Sequence, residues 1–334
     1  MRRGSIFRIS LYGLAAAGAV TLVAVLIKWL PTSASRQMDR ITFVYWFTTA
    51  ICIGIFGVVA GVIVYSVLHF RVQPDDDSDG PPIHGHTGIE IAWTIVPAVL
   101  VIAIGVVSAV VLSQNGRAGT NPLHVNVYAQ QFAWRFQYPD NKDDMSAELY
   151  IPVHRNIRFD LAAADVLHSF WVPEFGQKQD AVPGIQTHVI VTPTRTGDFT
   201  VICTELCGLG HATMRAAVHV VSQADFDKWV KAQQTGSGGG GSPGAAAFAS
   251  GNCASCHTFK PAAATGKIGP SLDNLAADAK TAGKPLEAYV KESIVDPNAY
   301  LVPGFKAGVM PSNFGQSLSA PQIDALVKYL TGSK

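Results

Sequence analysis

The twelve residues Cys203-Thr-Glu-Leu-Cys207-Gly-Leu-Gly-His211-Ala-Thr-Met214 hold two thiols, an imidazole and a thioether. Ordinary core packing does not ask for that set. Soft thiolate and thioether donors combined with imidazole suit copper, whereas a closed structural zinc site draws four Cys or His ligands and has no use for Met. With His168 upstream on an earlier loop, the C-x3-C-x3-H-x2-M spacing supplies two thiolates able to bridge a pair of metals and one imidazole for each, which fits a dinuclear centre. An electron shared by two ions that share two sulfurs leaves little to rearrange on reduction, which favours fast transfer. The plainer reading of the same residues is a Cys203–Cys207 disulfide in an oxidising compartment, with His211 on the surface and Met214 in a core. The density of the motif weighs against it.

A second cluster, Cys253-Ala-Ser-Cys256-His257, has the pattern of covalent c-type haem attachment. Its two Cys form thioethers, His257 binds iron from one side, and Met is the usual ligand on the other. Met310 is the only Met after Met214, so it takes that place if the iron is six-coordinate with Met. A thioredoxin-like redox pair is the alternative, but no βαβ pattern surrounds the motif. Copper and haem in one chain read as electron transfer.

The elements that must position these groups begin in a membrane. The chain is 48% apolar and 15% charged over 334 residues, greasy for a soluble protein. A net charge of +1 with signs evenly spread gives no footprint for nucleic acid, whose binding needs clustered Lys and Arg. Leu11 to Ile27 follows Arg2, Arg3 and Arg8 and precedes Thr32-Ser33-Ala34-Ser35, so residues 1–35 read as a signal peptide or an N-terminal anchor. Phe43 to Leu68 is about 26 residues, or about 39 Å of helix, long enough to span a bilayer. Ile91 to Leu112 carries no charge and also suffices, with Pro97 kinking it near one end. Together, residues 41–113 read as a two-helix transmembrane hairpin. Haem attachment occurs on the outer side of bacterial membranes, which puts the segment after Leu112 outside and the Arg71–Gly88 loop in the cytoplasm.

Beyond Pro122 the pattern turns to period two. His124–Tyr128, Phe132–Tyr138, Ile157–Leu161, His188–Val191, Phe199–Cys203 and Ala217–Val221 are short strand-like runs broken by Pro, Gly, Asn and Asp. Residues 120–232 are therefore expected to form a small all-β sandwich with the metal loop at one end. Residues 233–244 are a Gly/Ser linker in which the ten residues Thr235 to Gly244 would span about 17 Å root-mean-square. Residues 245–334 read as a small all-α haem domain. It has helices near Ala245–Ser250 and Leu286–Val295, and a last one opened by a Ser319-x-x-Gln322 capping box. Cys52 and His69, His84, His86, His124, His154, His188 and His219 read as ordinary packing or surface residues.

Residues 41 to about 232 resemble subunit II of the haem-copper cytochrome c oxidases. The resemblance rests on Glu90-Ile-Ala-Trp93-Thr-Ile-Val-Pro97, Gln131-Phe-Ala-Trp134-Arg-Phe-Gln-Tyr138-Pro139-Asp140, His168-Ser-Phe-Trp171-Val-Pro173, Asp180-Ala-Val-Pro183-Gly184 and the Cys203–Met214 loop. With the haem domain, the whole is similar to a caa-type fusion. The resemblance implies a cupredoxin Greek-key sandwich with a dinuclear CuA centre. Its ligands would be His168, Cys203, the Glu205 backbone carbonyl, Cys207, His211 and Met214, and the Glu205 carboxylate would face Mg at the subunit I boundary. It also implies that Trp134 is the family's surface tryptophan for electron uptake, against a half-buried strand aromatic as the plain reading. Glu90 would lie at the mouth of a proton channel, against a snorkelling interfacial charge. Ile185 stands where the family commonly has Arg, which puts that Arg's contact with subunit I haem in doubt. The implied partners are subunit I, subunit III, membrane lipid and an external donor such as a cytochrome c or a cytochrome bc complex. The implied role is electron uptake for a proton-pumping terminal oxidase in a bacterial cell membrane, with the metal domains outside. A nitric oxide reductase subunit and a membrane-anchored copper chaperone are the alternatives; the chaperone needs neither haem nor Met214.

Overall fold

The structure is a computed structural model that describes residues 3–71, 82, 84–141, 144–234, 243–251, 253–312 and 314–332. The chain divides into two units, residues 1–33 with 38–117 and residues 34–37 with 118–334.

The first unit contains α1 (Arg3–Leu26), α2 (Arg36–His69) and α3 (Thr87–Asn115), each long and apolar enough to cross a membrane. Glycines set how closely α1 and α2 pack. A Cβ on Gly13 would lie 2.6 Å from the Gly57 carbonyl oxygen, and one on Gly61 would lie 2.5 Å from that of Ile9. Only residues without side chains let two helix backbones approach so far, as in small-xxx-small membrane contacts. Polar contacts finish the pair: Tyr65 donates to Ser5 Oγ at 2.9 Å and Arg8 meets His69 at 3.0 Å. The α3 helix runs through Pro97. Most of the expected Arg71–Gly88 loop lies outside the described residues.

The second unit opens its sandwich with β1 (Leu123–Gln130), β2 (Ala133–Tyr138), β3 (Asp144–Ser146), β4 (Leu149–Pro152) and β5 (Ile157–Ala163). It continues with β6 (His168–Trp171), β7 (Lys178–Ala181), β8 (Thr187–Val191), β9 (Gly197–Cys203) and β10 (Arg215–Val221). One sheet has the order β3-β2-β1-β5-β8 and the other β4-β10-β9-β6-β7. The β1–β5 and β4–β10 pairs are parallel and the other pairs are antiparallel. Alternation drives the burial: Leu123, Val125 and Val127 of β1 are inside while His124 and Asn126 between them are half-exposed. Phe136, Phe159 and Phe170 fill the space between the sheets.

The residues Ala34–Gln37 also belong to this unit. Ala34 and Ser35 are fully buried, the Ala34 N–H donates to the Glu174 carbonyl, and its own carbonyl accepts from Thr194. After β10, α4 (Gln223–Gln234) lays Phe226 and Trp229 against Tyr138 and Tyr150. The expected linker falls mainly on residues 235–242, outside the described residues.

The C-terminal part has α5 (Pro243–Ser250), a short ribbon of β11 (Thr258–Phe259) and β12 (Ala264–Thr265), α6 (Leu275–Thr281), α7 (Leu286–Val295), α8 (Phe314–Ser317) and α9 (Ala320–Thr331). The small ribbon departs from the all-helical expectation. The Ser319–Gln322 capping box is present, and Ile323, Leu326 and Val327 of α9 are buried together.

Candidate functional site

The copper loop is held between two neighbouring strands. β9 ends at Cys203, β10 starts at Arg215, and the Cys203 N–H donates to the Met214 carbonyl, closing the loop at its base. His168 is the first residue of β6, which pairs with β9, so it sits on a strand rather than on the loop expected for it. Strand pairing thus brings a residue from 35 positions upstream to the thiols.

The donor atoms converge. His168 Nδ1 is 3.9 Å from Cys203 Sγ, and the two sulfurs are 3.8 Å apart. His211 Nδ1 is 3.6 Å and Met214 Sδ 3.8 Å from Cys207 Sγ, while the Glu205 carbonyl oxygen is 3.3 Å from Cys203 Sγ. Both cysteines are free thiols, so the disulfide reading does not describe this fold. Each sulfur has an imidazole nitrogen within 4 Å, a donor set that fits two soft metal ions sharing two thiolates.

Electrostatics prepare the sulfurs unequally. Burial raises the Cys203 pKa, but hydrogen bonds with His168, with the Ser169 and Glu205 backbone and with His211 outweigh it, and the net value is lowered to about 6. Burial and the neighbouring Cys203 charge push Cys207 up to about 12. Burial works against charge on His168, but its Asp165 hydrogen bond more than compensates and holds it above the ordinary histidine value.

Two supporting residues escaped the sequence reading. Asp165 accepts from His168 Nε2 at 2.9 Å, which leaves Nδ1 to face the sulfurs. Its other oxygen accepts the Gln131 N–H at 2.6 Å, and Gln131 Nε2 in turn donates to the Cys207 carbonyl at 2.5 Å. A carboxylate three residues before a ligand histidine was the available signal for Asp165; nothing local marked Gln131.

Trp134 is not the surface residue expected. It is 1% exposed, packed edge-on against His168 and Phe170, because it points inward from β2. Burial this complete also goes beyond the half-buried alternative. Glu90 lies in the first turn of α3 and accepts the His86 N–H at 2.9 Å, while His86 accepts from Ile89, so its carboxylate caps a helix start. Ile185 is exposed.

The haem motif lines a cleft with Ile268, Pro270, Leu272, Tyr289, Met310 and Phe314. Cys253 and Cys256 are free thiols, with burial and the second thiol raising Cys253 to about 12. His257 Nδ1 hydrogen-bonds the Pro270 carbonyl at 2.7 Å, so Nε2 remains for a metal, and burial lowers the His257 pKa and favours the neutral ligand form. A Cβ on Gly269 would lie 2.4 Å from His257 Cε1, so the loop reaches this close only as glycine. Two thiols, a neutral imidazole, a thioether and an apolar lining fit a covalently bound haem.

Comparison with known proteins points to one family. Residues 23–111 match the cytochrome c oxidase subunit II transmembrane domain, residues 142–221 its periplasmic domain, and residues 240–330 the cbb3-type cytochrome c oxidase subunit III family. Cytochrome c oxidase subunit 2 of Synechocystis sp. is 30% identical over 250 residues, covering 61% of this chain and 75% of the relative. That of Alkalihalophilus pseudofirmus is 30% identical over 294 residues, covering 83% and 82%. Among solved structures, the periplasmic domain of cytochrome oxidase subunit II of Bradyrhizobium japonicum is 32% identical with a TM-score of 0.34, covering 36% of this chain and 99% of that one. The chain belongs to the cytochrome c oxidase subunit II family, as a membrane protein with an outer copper domain and a haem c domain that works beside oxidase subunit I.

Proposed function

We propose that this chain is the electron-accepting arm of a proton-pumping terminal oxidase, taking electrons from an external donor at its haem domain and delivering them through a dinuclear CuA centre to subunit I. When bound, the haem and the copper pair each supply a one-electron carrier. The protein's part is to hold their ligands still. His168, Cys203, Cys207, His211 and Met214 hold copper through side chains and Glu205 through its carbonyl; Cys253, Cys256, His257 and Met310 hold haem. Asp165 keeps His168 in the tautomer that presents Nδ1, and the Pro270 carbonyl does the same for Nε2 of His257. The observation that carries the reading is the convergence of two imidazole nitrogens, a thioether and a carbonyl on two sulfurs 3.8 Å apart, in a chain that also carries the haem cleft.

Leu206 and Leu209, 78% and 84% exposed beside the ligands, with exposed Ile185, give this end of the sandwich an apolar rim suited to subunit I. The Glu205 carboxylate is assigned to Mg at that boundary. Subunit III is the further subunit, and a cytochrome c or a cytochrome bc complex is the external donor. The Glu90 carboxylate retains its assignment to a proton-channel mouth, in addition to its helix-capping contact. The α1 helix is assigned as a retained third span with its N-terminus in the cytoplasm.

The test is metal analysis of the full chain matured with haem and loaded with copper, together with electron spin resonance of the oxidised copper. Two coppers per covalent haem, with hyperfine structure from one unpaired electron on both ions, is the expected result. One copper with a localised spectrum would move a copper chaperone or a mononuclear cupredoxin to the front.

A further inference from the structure

The β1–β2 hairpin faces two ways. Its turn, Gln131-Phe132, and the flanking Gln130 and Ala133 form part of the wall of the cleft that carries Cys253, Cys256 and His257. The same turn is pressed on the copper loop. A Cβ on Gly210 would lie 2.5 Å from the Phe132 ring, and one on Gly208 would lie 2.8 Å from Gln131 Nε2. Glycine at both positions lets the loop come this close.

Gln131 is bonded to one copper ligand and to the residue that orients another. Its side-chain amide donates to the Cys207 carbonyl at 2.5 Å, and its backbone N–H donates to Asp165, the carboxylate that orients His168. Coupling between redox groups falls more slowly along covalent and hydrogen bonds than across a gap. From the cleft wall, one side-chain amide and one hydrogen bond reach the backbone of a bridging thiolate ligand. Trp134, although it touches His168, does not line the cleft.

We propose that Gln131 is the link that carries electrons from the haem cleft to the copper thiolates, through its hydrogen bond to Cys207. This rests on the functional reading above and adds to it a route and a residue. One electron passes, the haem iron is oxidised and the copper pair reduced, with no bond broken and no proton moved.

The experiment uses the full chain carrying haem and copper, with the wild type compared with Gln131→Met and Gln131→Glu. Both replacements approximate the side chain's length and remove its N–H donor. The haem is reduced by a light pulse and the rate of copper reduction is followed, while the magnetic coupling of oxidised haem and copper reports their separation. The rate is expected to fall roughly 10- to 100-fold, the range by which losing an outer-shell partner lowers metal affinity or activity, in variants loaded at saturating copper so that the separation and both metal contents match the wild type. Wild-type rates in a variant that retains both centres would overturn the inference. So would failure of both variants to hold copper, which would make Gln131 a support for the ligands rather than a route. Absence of two coppers and a haem in the wild type is a different failure, that of the functional reading itself.

Discussion

His168 reaches the copper cluster with one ring nitrogen already committed to Asp165. Removing that carboxylate frees the imidazole to rotate and also frees the Gln131 turn bonded to the other oxygen. Asp165→Ala should therefore weaken copper binding about 10- to 100-fold, the range typical of lost outer-shell partners, as measured by competition with a chelator. Unchanged affinity would mean that packing alone orients the ring. Trp134 calls for a different expectation from that of a surface electron acceptor. Its indole is wholly enclosed against His168 and Phe170, so Trp134→Ala should cost about 3–5 kcal/mol of stability, the range for emptying a large aromatic site. A clearly lower thermal transition of the full chain would bear this out; an undisturbed transition with slow electron uptake would restore the acceptor role. The donor residues were legible in the sequence because most of them lie within twelve positions, where spacing alone limits what they can bind. Gln131 was not, because its contacts cross 34 and 76 positions and exist only after the sandwich closes; Asp165 stood three residues before His168, but only the fold aims its carboxylate at the ring.

At the scale of elements, the haem site depends on a loop as much as on its motif. The segment before Leu272 brings the Pro270 carbonyl to His257 Nδ1 and passes Gly269 against the ring. Adding one methyl group in Gly269→Ala places an atom 2.4 Å from Cε1, far inside contact distance, so either the loop or the imidazole must move. Covalent attachment needs only the two Cys and should survive; axial ligation should not. The expected outcome is a haem that binds carbon monoxide when reduced, whereas the wild type, with His257 and Met310 as the proposed axial ligands, should not. An unreactive variant would show that the loop yields instead of the ring. Long periodic stretches of this kind of fold were readable, and α7 matches the expected Leu286–Val295 residue for residue. β6 was not readable as a strand, because its four residues are buried or half-buried without alternation. α4 was hidden for the opposite reason: it is mostly polar and is held by a few anchors, Phe226, Trp229 and Val230, whose aromatic and apolar partners lie on distant strands.

At the scale of the whole molecule, the fate of residues 1–35 decides how many times the chain crosses the membrane. A cleaved signal peptide has no reason to fit its mature protein. Here α1 meets α2 through Gly13, Gly57 and Gly61 at distances that any side chain would prevent, and Ser5 and Arg8 pair with Tyr65 and His69 near the far end of α2. Those pairings put the start of the chain, with Arg3 and Arg8, beside the end of α2, and the proposed topology has both on the cytoplasmic side, where the positive-inside rule favours Arg. The small-residue run that suggested a cleavage site is also in use, since Ala34 and Ser35 are buried and Ala34 holds both of its backbone hydrogen bonds to the sandwich. On the proposed reading α1 is retained, and three spans are the expected outcome. The intact mass of the mature subunit should include residues 3–33, and Gly61→Leu, which drives a side chain into the Ile9 carbonyl, should separate α1 from α2 and expose the N-terminal segment to added protease. A mature chain beginning beyond Ala34 would overturn this, because neither the helix pair nor the strap at Ala34 could then contribute to the working protein.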